Sequence, residues 1–253
     1  MSVLDGKVAL VTGAGQGVGR GIAIAAAKEG AAVAVIGRTE AKLTAVCEEI
    51  KKAGGRAMSI RCDVRRLQDI QATVAQTVKH FGGLDILVNN AYEGAFGSLL
   101  SIDDEAFQVG FFAGPIATFR FMKEAYPHLK TRRGGSIINL VSSAAARWDT
   151  STYGPYAAAK EGIRVLTRTA ASEWGQDNIR VNAVAPLANS PLLSEWASSL
   201  PKEASAFFDT IPLKRVGDCE ADIGKAVVLL LRPEAGYING ATICIDGGQA
   251  RFG

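Results

Sequence analysis

Short apolar runs rich in β-branched residues recur along the chain and alternate with longer, alanine-rich stretches. The apolar runs lack an alternation of buried and exposed positions, which is typical of strands covered by helices on both faces. The stretches between most of them have the length of crossover helices. Seven strands are predicted, at residues 8–11, 33–36, 58–60, 86–88, 137–141, 181–185 and 241–245. We therefore expect an α/β fold with a doubly wound, seven-stranded parallel sheet in a three-layer αβα sandwich.

Residues 187–217 depart from this rhythm. Pro191, Pro201 and Pro212 divide the segment into short helical patterns that carry aromatic side chains. A long insertion after the carboxyl end of a parallel strand lies where such sheets bind ligands. Since no linker or repeat marks a second domain, we predict one domain over residues 1–253, with a substrate lid at 187–217.

The composition limits the partners and the location. The chain of 253 residues is 48% hydrophobic, which is enough for a substantial core without disulfides. Its 28 basic and 25 acidic residues give a net charge of +3, too even a balance to favour a nucleic-acid partner. The four cysteines form no C-x-x-C pair, which disfavours structural zinc, and no apolar run is long enough to span a membrane. We expect a cytoplasmic protein with reduced thiols, no metal and no membrane partner.

A glycine-rich turn, T-G-A-G-Q-G-V-G at residues 12–19, follows the first strand directly and precedes a helical stretch. Glycines permit a tight turn and a close approach of the main chain to a diphosphate, whose charge the positive end of the helix favours. The pattern predicts a dinucleotide site that includes Gly13, Gln16, Gly17, Val18 and Gly19. A tight strand–helix connection without a ligand is the alternative.

The end of the second strand bears on the choice of dinucleotide. An acidic residue at this place would accept a hydrogen bond from the ribose 2′-hydroxyl of NAD, but the chain has Gly37 followed by Arg38. A guanidinium is suited to pairing with a 2′-phosphate, so NADP(H) is favoured over NAD(H). An arginine that only faces solvent is the alternative.

Tyr156 and Lys160 are four residues apart in a predicted helix, so their side chains share one face. An ammonium beside a phenol lowers the pKa of the phenol and suits it to acid–base catalysis. Such a pair also arises by chance on solvated helices. Its surroundings favour chemistry, because Ser142 and Ser143 close the fifth strand at the same crevice as the glycine turn.

With these residues in place, the chain resembles the short-chain dehydrogenase/reductase superfamily over essentially its whole length. Five motifs match in order and at the family's spacing: the turn at 12–19, the acidic–aliphatic pair Asp63 and Val64, most of N-N-A-G at 89–91, Ser143 thirteen residues before the tyrosine of Y-x-x-x-K, and D-G-G at 246–248. The resemblance implies a Rossmann-like fold and an NAD(P)-dependent oxidoreductase that interconverts a ketone and a secondary alcohol.

The resemblance also implies roles for single residues. Tyr156 would donate a proton to the carbonyl oxygen, Ser143 would hydrogen-bond that oxygen, and Lys160 would hold the nicotinamide ribose and lower the pKa of Tyr156. The remaining cofactor contacts would come from Asp63, Val64, Asn90, Ala91, Pro186 and Ser190. Family members commonly form homotetramers, so a homotetramer or homodimer is expected.

Three positions differ from the family's pattern. The family's fourth catalytic residue, an asparagine that supports a water next to the lysine, is Gly114 here, followed by Pro115. We expect this Gly–Pro step to break the helix and leave carbonyl groups for the water. If the proton relay is impaired, Gly114→Asn should raise turnover. Tyr92 and Leu187 each replace a glycine and add bulk near the cofactor.

Two alternative functions stay open. Tyr153 lies seven residues before Lys160, the interval found in enoyl reductases of the same superfamily, although Ser143 is spaced for Tyr156. The substitutions at Gly114, Tyr92 and Leu187 are compatible with a non-catalytic protein that senses a dinucleotide or acts as a scaffold. Carbonyl chemistry is favoured, because a polar partner for a developing alkoxide is present.

The substrate class is suggested by bulky side chains near the expected site. Candidates for the substrate pocket are Tyr92, Trp148, Tyr153, Leu187 and Trp196, with Phe96, Leu192 and Leu193 beside them. An apolar pocket of this kind favours a bulky hydrophobic carbonyl compound. The same residues could equally pack in the core or the lid.

Overall fold

The computed structural model of the protein describes residues 2–146, 151–250 and 252. All seven predicted strands are present and pair in parallel in the order β3-β2-β1-β4-β5-β6-β7. The strands are β1 (Val8–Thr12), β2 (Ala32–Gly37), β3 (Arg56–Arg61), β4 (Ile86–Asn89), β5 (Gly135–Leu140), β6 (Ile179–Pro186) and β7 (Thr242–Ile245). The predicted fold class is therefore confirmed.

Helices connect the strands and cover the sheet. They are α1 (Gly17–Lys28), α2 (Glu40–Lys52), α3 (Leu67–Phe81), α4 (Asp104–Phe111), α5 (Ala117–Thr131), α6 (Gly154–Trp174), α7 (Pro191–Ser199), α8 (Pro201–Asp209) and α9 (Lys225–Leu231). Within the described residues, no helix has both the length and the apolar character that a membrane crossing requires.

The core lies in two layers, one on each face of the sheet. Along β1, Ala9 and Val11 face a cluster that includes buried side chains of α1, α2 and α9. Val8 and Leu10 face the opposite cluster, which includes buried side chains of α3, α5 and α6. Both faces of a central strand are therefore apolar, which explains why the strand patterns show no alternation.

The order of the strands reverses between β1 and β4, which opens a crevice at their carboxyl ends. Side-chain hydrogen bonds tie the two strand ends together at this point. The hydroxyl of Thr12 donates to the carbonyl of Val88 at 3.3 Å and accepts from the backbone N–H of Asn90 at 2.9 Å. The crevice therefore has a rigid floor.

Candidate active site

The glycine-rich turn forms one wall of the crevice. Gly13 and Gly17 have positive φ angles of 66° and 56°. A Cβ atom on Gly13 would lie 2.7 Å from Nδ2 of Asn90, and one on Gly19 would lie 2.5 Å from the carbonyl oxygen of Gly13. Both the conformation and the lack of space therefore require glycine here.

Helix α1 begins in this turn, and among the described residues no side chain caps its first N–H groups. Gln16 is its N-cap residue and makes no side-chain capping bond, since its amide instead accepts a hydrogen bond from Lys42. The first turn of α1 holds no acidic residue. Val18 packs against the core beneath. A helix start with uncapped N–H groups and no negative charge, reached through glycines, fits the diphosphate of a dinucleotide.

Asn90 and Ala91 support this turn from β4. The side-chain amide of Asn90 donates to the carbonyls of Thr12 at 2.9 Å and Gly13 at 3.2 Å. The backbone N–H of Ala91 donates to the hydroxyl of Thr12 at 3.0 Å. These predicted cofactor residues therefore also hold the shape of the glycine turn.

A chain of charged groups crosses the end of β2. Arg38 donates to Glu93 at 2.7 Å, and Glu93 lies 3.6 Å from Arg65. Arg65 in turn pairs with Asp63 through hydrogen bonds of 2.7 to 3.2 Å, and these bonds hold the pKa of Asp63 below its ordinary value. Sequence reasoning missed Glu93 and Arg65, since nothing in the pattern indicates that Glu93 reaches an arginine 55 residues away.

Tyr156 and Lys160 lie one turn apart near the start of α6, as predicted. The Lys160 side chain is almost fully buried and donates from Nζ to the carbonyl of Leu140 at 2.9 Å. Nζ also lies 5.6 Å from the centre of the Tyr156 ring. Burial lowers the pKa of Lys160 to about 7, because the charged ammonium loses its hydration.

The pKa of Tyr156 is raised above its ordinary value, chiefly because the phenol is buried. A hydrogen bond from the Ser142 hydroxyl lowers this pKa in part. The expected lowering by Lys160 is not among the causes. Ser143, the serine predicted from the family spacing, begins the short turn Ser143–Ala145 directly after Ser142. Neighbouring serines thus stand together at this strand end.

Three aromatic rings lie beside the phenol of Tyr156. The rings of Tyr92 and Phe96 lie with their centres 5.1 and 5.3 Å from that of Tyr156. The ring of Tyr153 lies 5.1 Å from Phe96 and 6.3 Å from Tyr156. Phe96 and Tyr153 remain about half exposed, at 49% and 44%. The predicted pocket residues Tyr92 and Tyr153 are therefore brought together beside Tyr156.

Two other predicted pocket residues, Trp196 and Leu187, have contacts outside this group of rings. Trp196 packs edge-on against Phe207 and Phe208 of α8, with ring centres 5.8 and 6.3 Å away. Leu187 follows β6 and donates its backbone N–H to the carbonyl of Ile245 at 3.0 Å. Trp148 lies outside the described residues.

The segment after β6 approaches the glycine turn. Pro186 ends β6 and pairs with Ile245 of β7. The hydroxyl of Ser190 caps α7 by accepting from the N–H of Leu193 at 3.3 Å. A Cβ atom on Gly17 would lie 3.4 Å from both Ser190 and Pro191. The start of α7 therefore lies directly over the turn, where the predicted contact of Ser190 with the cofactor requires it.

The Gly–Pro step interrupts the regular helix, as expected. Gly114 and Pro115 lie in a wide π turn, Phe112–Ile116, where the chain kinks between α4 and α5. Pro115 has no N–H to donate, so it cannot continue the regular hydrogen-bond pattern here. Gly114 itself has non-helical angles, φ −98° and ψ −106°.

Comparison with known proteins identifies the family of this chain and the chemical class of its relatives. Residues 13–250 match the protein family described as Enoyl-(Acyl carrier protein) reductase. The 12alpha-hydroxysteroid dehydrogenase of a Clostridium species is 40% identical over 259 residues, which cover 99% of each chain. Short-chain reductase protein NovJ of Streptomyces niveus is 37% identical over 254 residues, covering 98% of this chain and 96% of its own.

A solved structure agrees in fold and in chemical class. It is that of a 7 alpha-hydroxysteroid dehydrogenase complexed with NADH and 7-oxo glycochenodeoxycholic acid, which is 30% identical to this chain. The two structures superpose with a TM-score of 0.91 over 98% of this chain and 96% of the other. The chain therefore belongs to the short-chain dehydrogenase/reductase superfamily and is an oxidoreductase that acts on CH–OH and C=O groups.

Proposed function

We propose that this oxidoreductase uses NADP(H) to interconvert a ketone and a secondary alcohol on a bulky, hydrophobic, ring-containing substrate. The observation that carries the proposal is the phenol of Tyr156, set between the buried ammonium of Lys160 and the exposed rings of Phe96 and Tyr153. Aromatic walls around a proton donor suit a flat apolar substrate. Relatives named for hydroxysteroids support the same substrate class.

Each site residue has a chemical task in this proposal. The raised pKa of Tyr156 keeps the phenol protonated near neutral pH, so it can donate a proton to a carbonyl oxygen. Ser143, which follows β5 at the same strand end, would hydrogen-bond that carbonyl oxygen and stabilise the charge that develops on it. When bound, a nicotinamide dinucleotide supplies or accepts the hydride. Lys160 and the turn at Gly13 and Gly19 would hold its ribose and diphosphate.

The contacts of Lys160 support carbonyl chemistry at Tyr156 over enoyl chemistry at Tyr153. The ammonium of Lys160 faces the ring of Tyr156, whereas the ring of Tyr153 packs against Phe96. Tyr153 is also the more exposed of the two phenols, so its surroundings hold it less firmly. Tyr156 is therefore the better proton donor.

The preference for NADP(H) rests on Arg38 at the end of β2. Its guanidinium binds the carboxylate of Glu93, which shows that the side chain can hold an anion at this place. A 2′-phosphate carries more charge than a carboxylate and would compete with Glu93 for Arg38. Arg65, 3.6 Å from Glu93, offers the displaced carboxylate a second partner.

Fluorescence titration with NADPH and NADH at one ionic strength tests the cofactor assignment. The wild type should bind NADPH more tightly, and Arg38→Leu should lose about tenfold or more in NADPH affinity, since hydrogen bonds to charged groups contribute roughly 1.5–3 kcal/mol. Glu93→Gln should tighten NADPH by removing its competitor. Arg66→Leu, a more exposed arginine that faces Asp69, is the control. Equal affinities in wild type and Arg38→Leu would contradict the assignment.

Turnover with matched ketones tests the substrate class. Steroid and other fused-ring ketones should give a higher kcat/KM than acetone-sized ketones with NADPH, because only the larger compounds reach the rings of Phe96 and Tyr153. Turnover of small hydrophilic ketones alone would contradict a bulky substrate but leave carbonyl reduction intact.

We also propose that residues 187–217 act as a lid and that the enzyme is a homotetramer or homodimer. The contact of Ser190 and Pro191 with Gly17 supports the lid. Leu229 on α9, Phe119 on α5 and Val165 on α6 are large apolar side chains left about half exposed, which is typical of surfaces covered by another subunit. Light scattering after gel filtration would measure the assembly, and a monomer would contradict it. The cytoplasmic location stays a prediction.

A further inference from the structure

The ring of Tyr92 packs against three glycines, Gly94, Gly110 and Gly114. A Cβ atom on Gly114 would lie 3.2 Å from Cε2 of Tyr92. Cβ atoms on Gly94 and Gly110 would lie 2.3 and 3.0 Å from its hydroxyl oxygen. A Cβ atom on Gly94 would collide with the Tyr92 hydroxyl, and one on Gly110 or Gly114 would make a tight contact from which the ring would have to shift.

The other side of the Tyr92 ring faces the reactive pair. Nζ of Lys160 lies 4.6 Å from the ring centre, closer than to the ring of Tyr156. The edge-on contact with Tyr156, at 80° between the rings, fixes the phenol from the same side. A cation at this distance from a ring centre is attracted by the negative face of the ring.

Few other groups stabilise the charged ammonium of Lys160. Its side chain is buried, and among the described residues no carboxylate forms an ion pair with it. Within the described part of the chain, its partners are the carbonyl of Leu140, the face of Tyr92 and, farther away, the ring of Tyr156. Removal of the Tyr92 ring would therefore leave the ammonium with one hydrogen bond and the more distant Tyr156 ring in a water-poor site.

We propose that Tyr92 is a positioning residue for Lys160, and that Gly114 is glycine because the Tyr92 ring needs the space above it. The proposal rests on the function given above for Lys160 and Tyr156, since it assigns what holds that pair in place. On this proposal the two departures from the family pattern are linked: the large side chain of Tyr92 is accommodated because position 114 is glycine. Gly114→Asn alone should then disturb the site and not improve it.

The phenolic hydroxyl of Tyr92 has no part in this role. Burial, together with the neighbouring Tyr156, raises the pKa of Tyr92 to about 12, so the group stays neutral at working pH. The oxygen lies beside Gly94 and Gly110, whereas the ammonium faces the ring. Tyr92→Phe should therefore keep the function, whereas Tyr92→Leu should lose it.

A direct measurement of the pKa of Lys160 tests the proposal without turnover. Protein labelled with 13C at the lysine ε carbons would be titrated by NMR, and the Lys160 resonance assigned by its absence in Lys160→Met. We expect the pKa of Lys160 to be unchanged in Tyr92→Phe and lower by about one unit in Tyr92→Leu, because the ring face stabilises the charged form. An unchanged or higher pKa in Tyr92→Leu would overturn the proposal.

The pH profile of carbonyl reduction gives the matching kinetic readout. With saturating NADPH, the alkaline limb of kcat/KM should move to lower pH in Tyr92→Leu and stay in place in Tyr92→Phe. If the wild type reduces no carbonyl compound, the proposed function fails, while the NMR result still decides the role of Tyr92.

A double-mutant cycle tests the coupling between positions 92 and 114. Gly114→Asn should lower kcat at least tenfold in the wild-type background and cost much less in the Tyr92→Gly background, where the ring no longer fills the space. Melting temperatures would show that each variant is folded. Equal losses in both backgrounds would overturn the coupling.

Discussion

The two sides of the crevice are built in different ways. On the cofactor side, the turn containing Gly13 and Gly19 is held by neighbours so close that a methyl group would collide with them. On the substrate side, Phe96 is half exposed and Leu100 is fully exposed in the loop after β4. The first region uses main-chain groups on a packed sheet, and the second uses side chains on a surface loop.

The two regions therefore differ in how strongly recognition depends on the individual sequence. A diphosphate is recognised by N–H groups that any sequence with the same glycines would present. A substrate is recognised by side chains on loops, which can change without disturbing the sheet. Lys160 and Tyr156 lie where the two regions meet, so they depend on both.

The largest loss of activity is expected at Tyr156, where the two regions meet. Tyr156→Phe removes the proton donor but keeps the ring, so kcat should fall by about 10²- to 10⁴-fold, the usual contribution of general acid catalysis. NADPH affinity should be unchanged in a fluorescence titration. A variant that retained most of its turnover would place the proton donor elsewhere, with Tyr153→Phe as the matched test.

The pH dependence of stability should reveal the cost of burying Lys160. The folded-state pKa is about 7, whereas the unfolded chain keeps a value near 10.4. Between these values only the unfolded state holds the proton, so the contribution of Lys160 to the free energy of unfolding rises as the pH rises through this window. Below pH 7 both states hold the proton and the full cost is present.

Lys160→Met should therefore raise Tm by about 4 °C or more at pH 6, and this gain should shrink by pH 9. The difference between the two proteins isolates Lys160 from the cysteines and tyrosines that titrate at alkaline pH. A gain that did not change between pH 6 and pH 9 would show that the lysine is not buried as a costly charge.

A smaller effect is expected from one methyl group on each side of the crevice. In Gly19→Ala the new Cβ would lie 2.4 Å from the Asn90 amide, and overpacking of this kind costs roughly 1–3 kcal/mol. NADPH affinity should fall by about tenfold and Tm should drop. Gly97→Ala is the control on the substrate side, because its nearest neighbour would be 3.5 Å away. Equal effects of the two changes would remove the contrast between the regions.

The smallest effect should be specific to the substrate. Phe96→Ala removes an exposed ring beside Tyr156, which should raise KM for a fused-ring ketone by about tenfold, from the loss of an aromatic contact and its apolar area. KM for a small ketone and the affinity for NADPH should hardly change. Parallel losses for both ketones would mean that Phe96 supports the fold of the loop and not the pocket.

The interruption at Gly114 could be predicted from the sequence, because proline lacks the N–H that a regular helix needs. The sequence does not show that a π turn joins α4 and α5 across this kink. The length of the edge strand β3 was also not evident, since it extends beyond its apolar run. Its arginines, Arg56 and Arg61, pair with β2 through main-chain groups that do not depend on side-chain polarity.

The sequence by itself determined the sheet, its parallel order of strands and helices, the glycine turn, and the pair Tyr156 and Lys160. The sheet and the turn follow from local periodicity and from backbone conformations that only glycine adopts readily, whereas the pair was identified by its motif spacing. Only the tertiary structure decided that Glu93 binds Arg38 and that the ring of Tyr92 covers Gly114. Such contacts join residues far apart in the chain and depend on side-chain directions that no pattern along the sequence records.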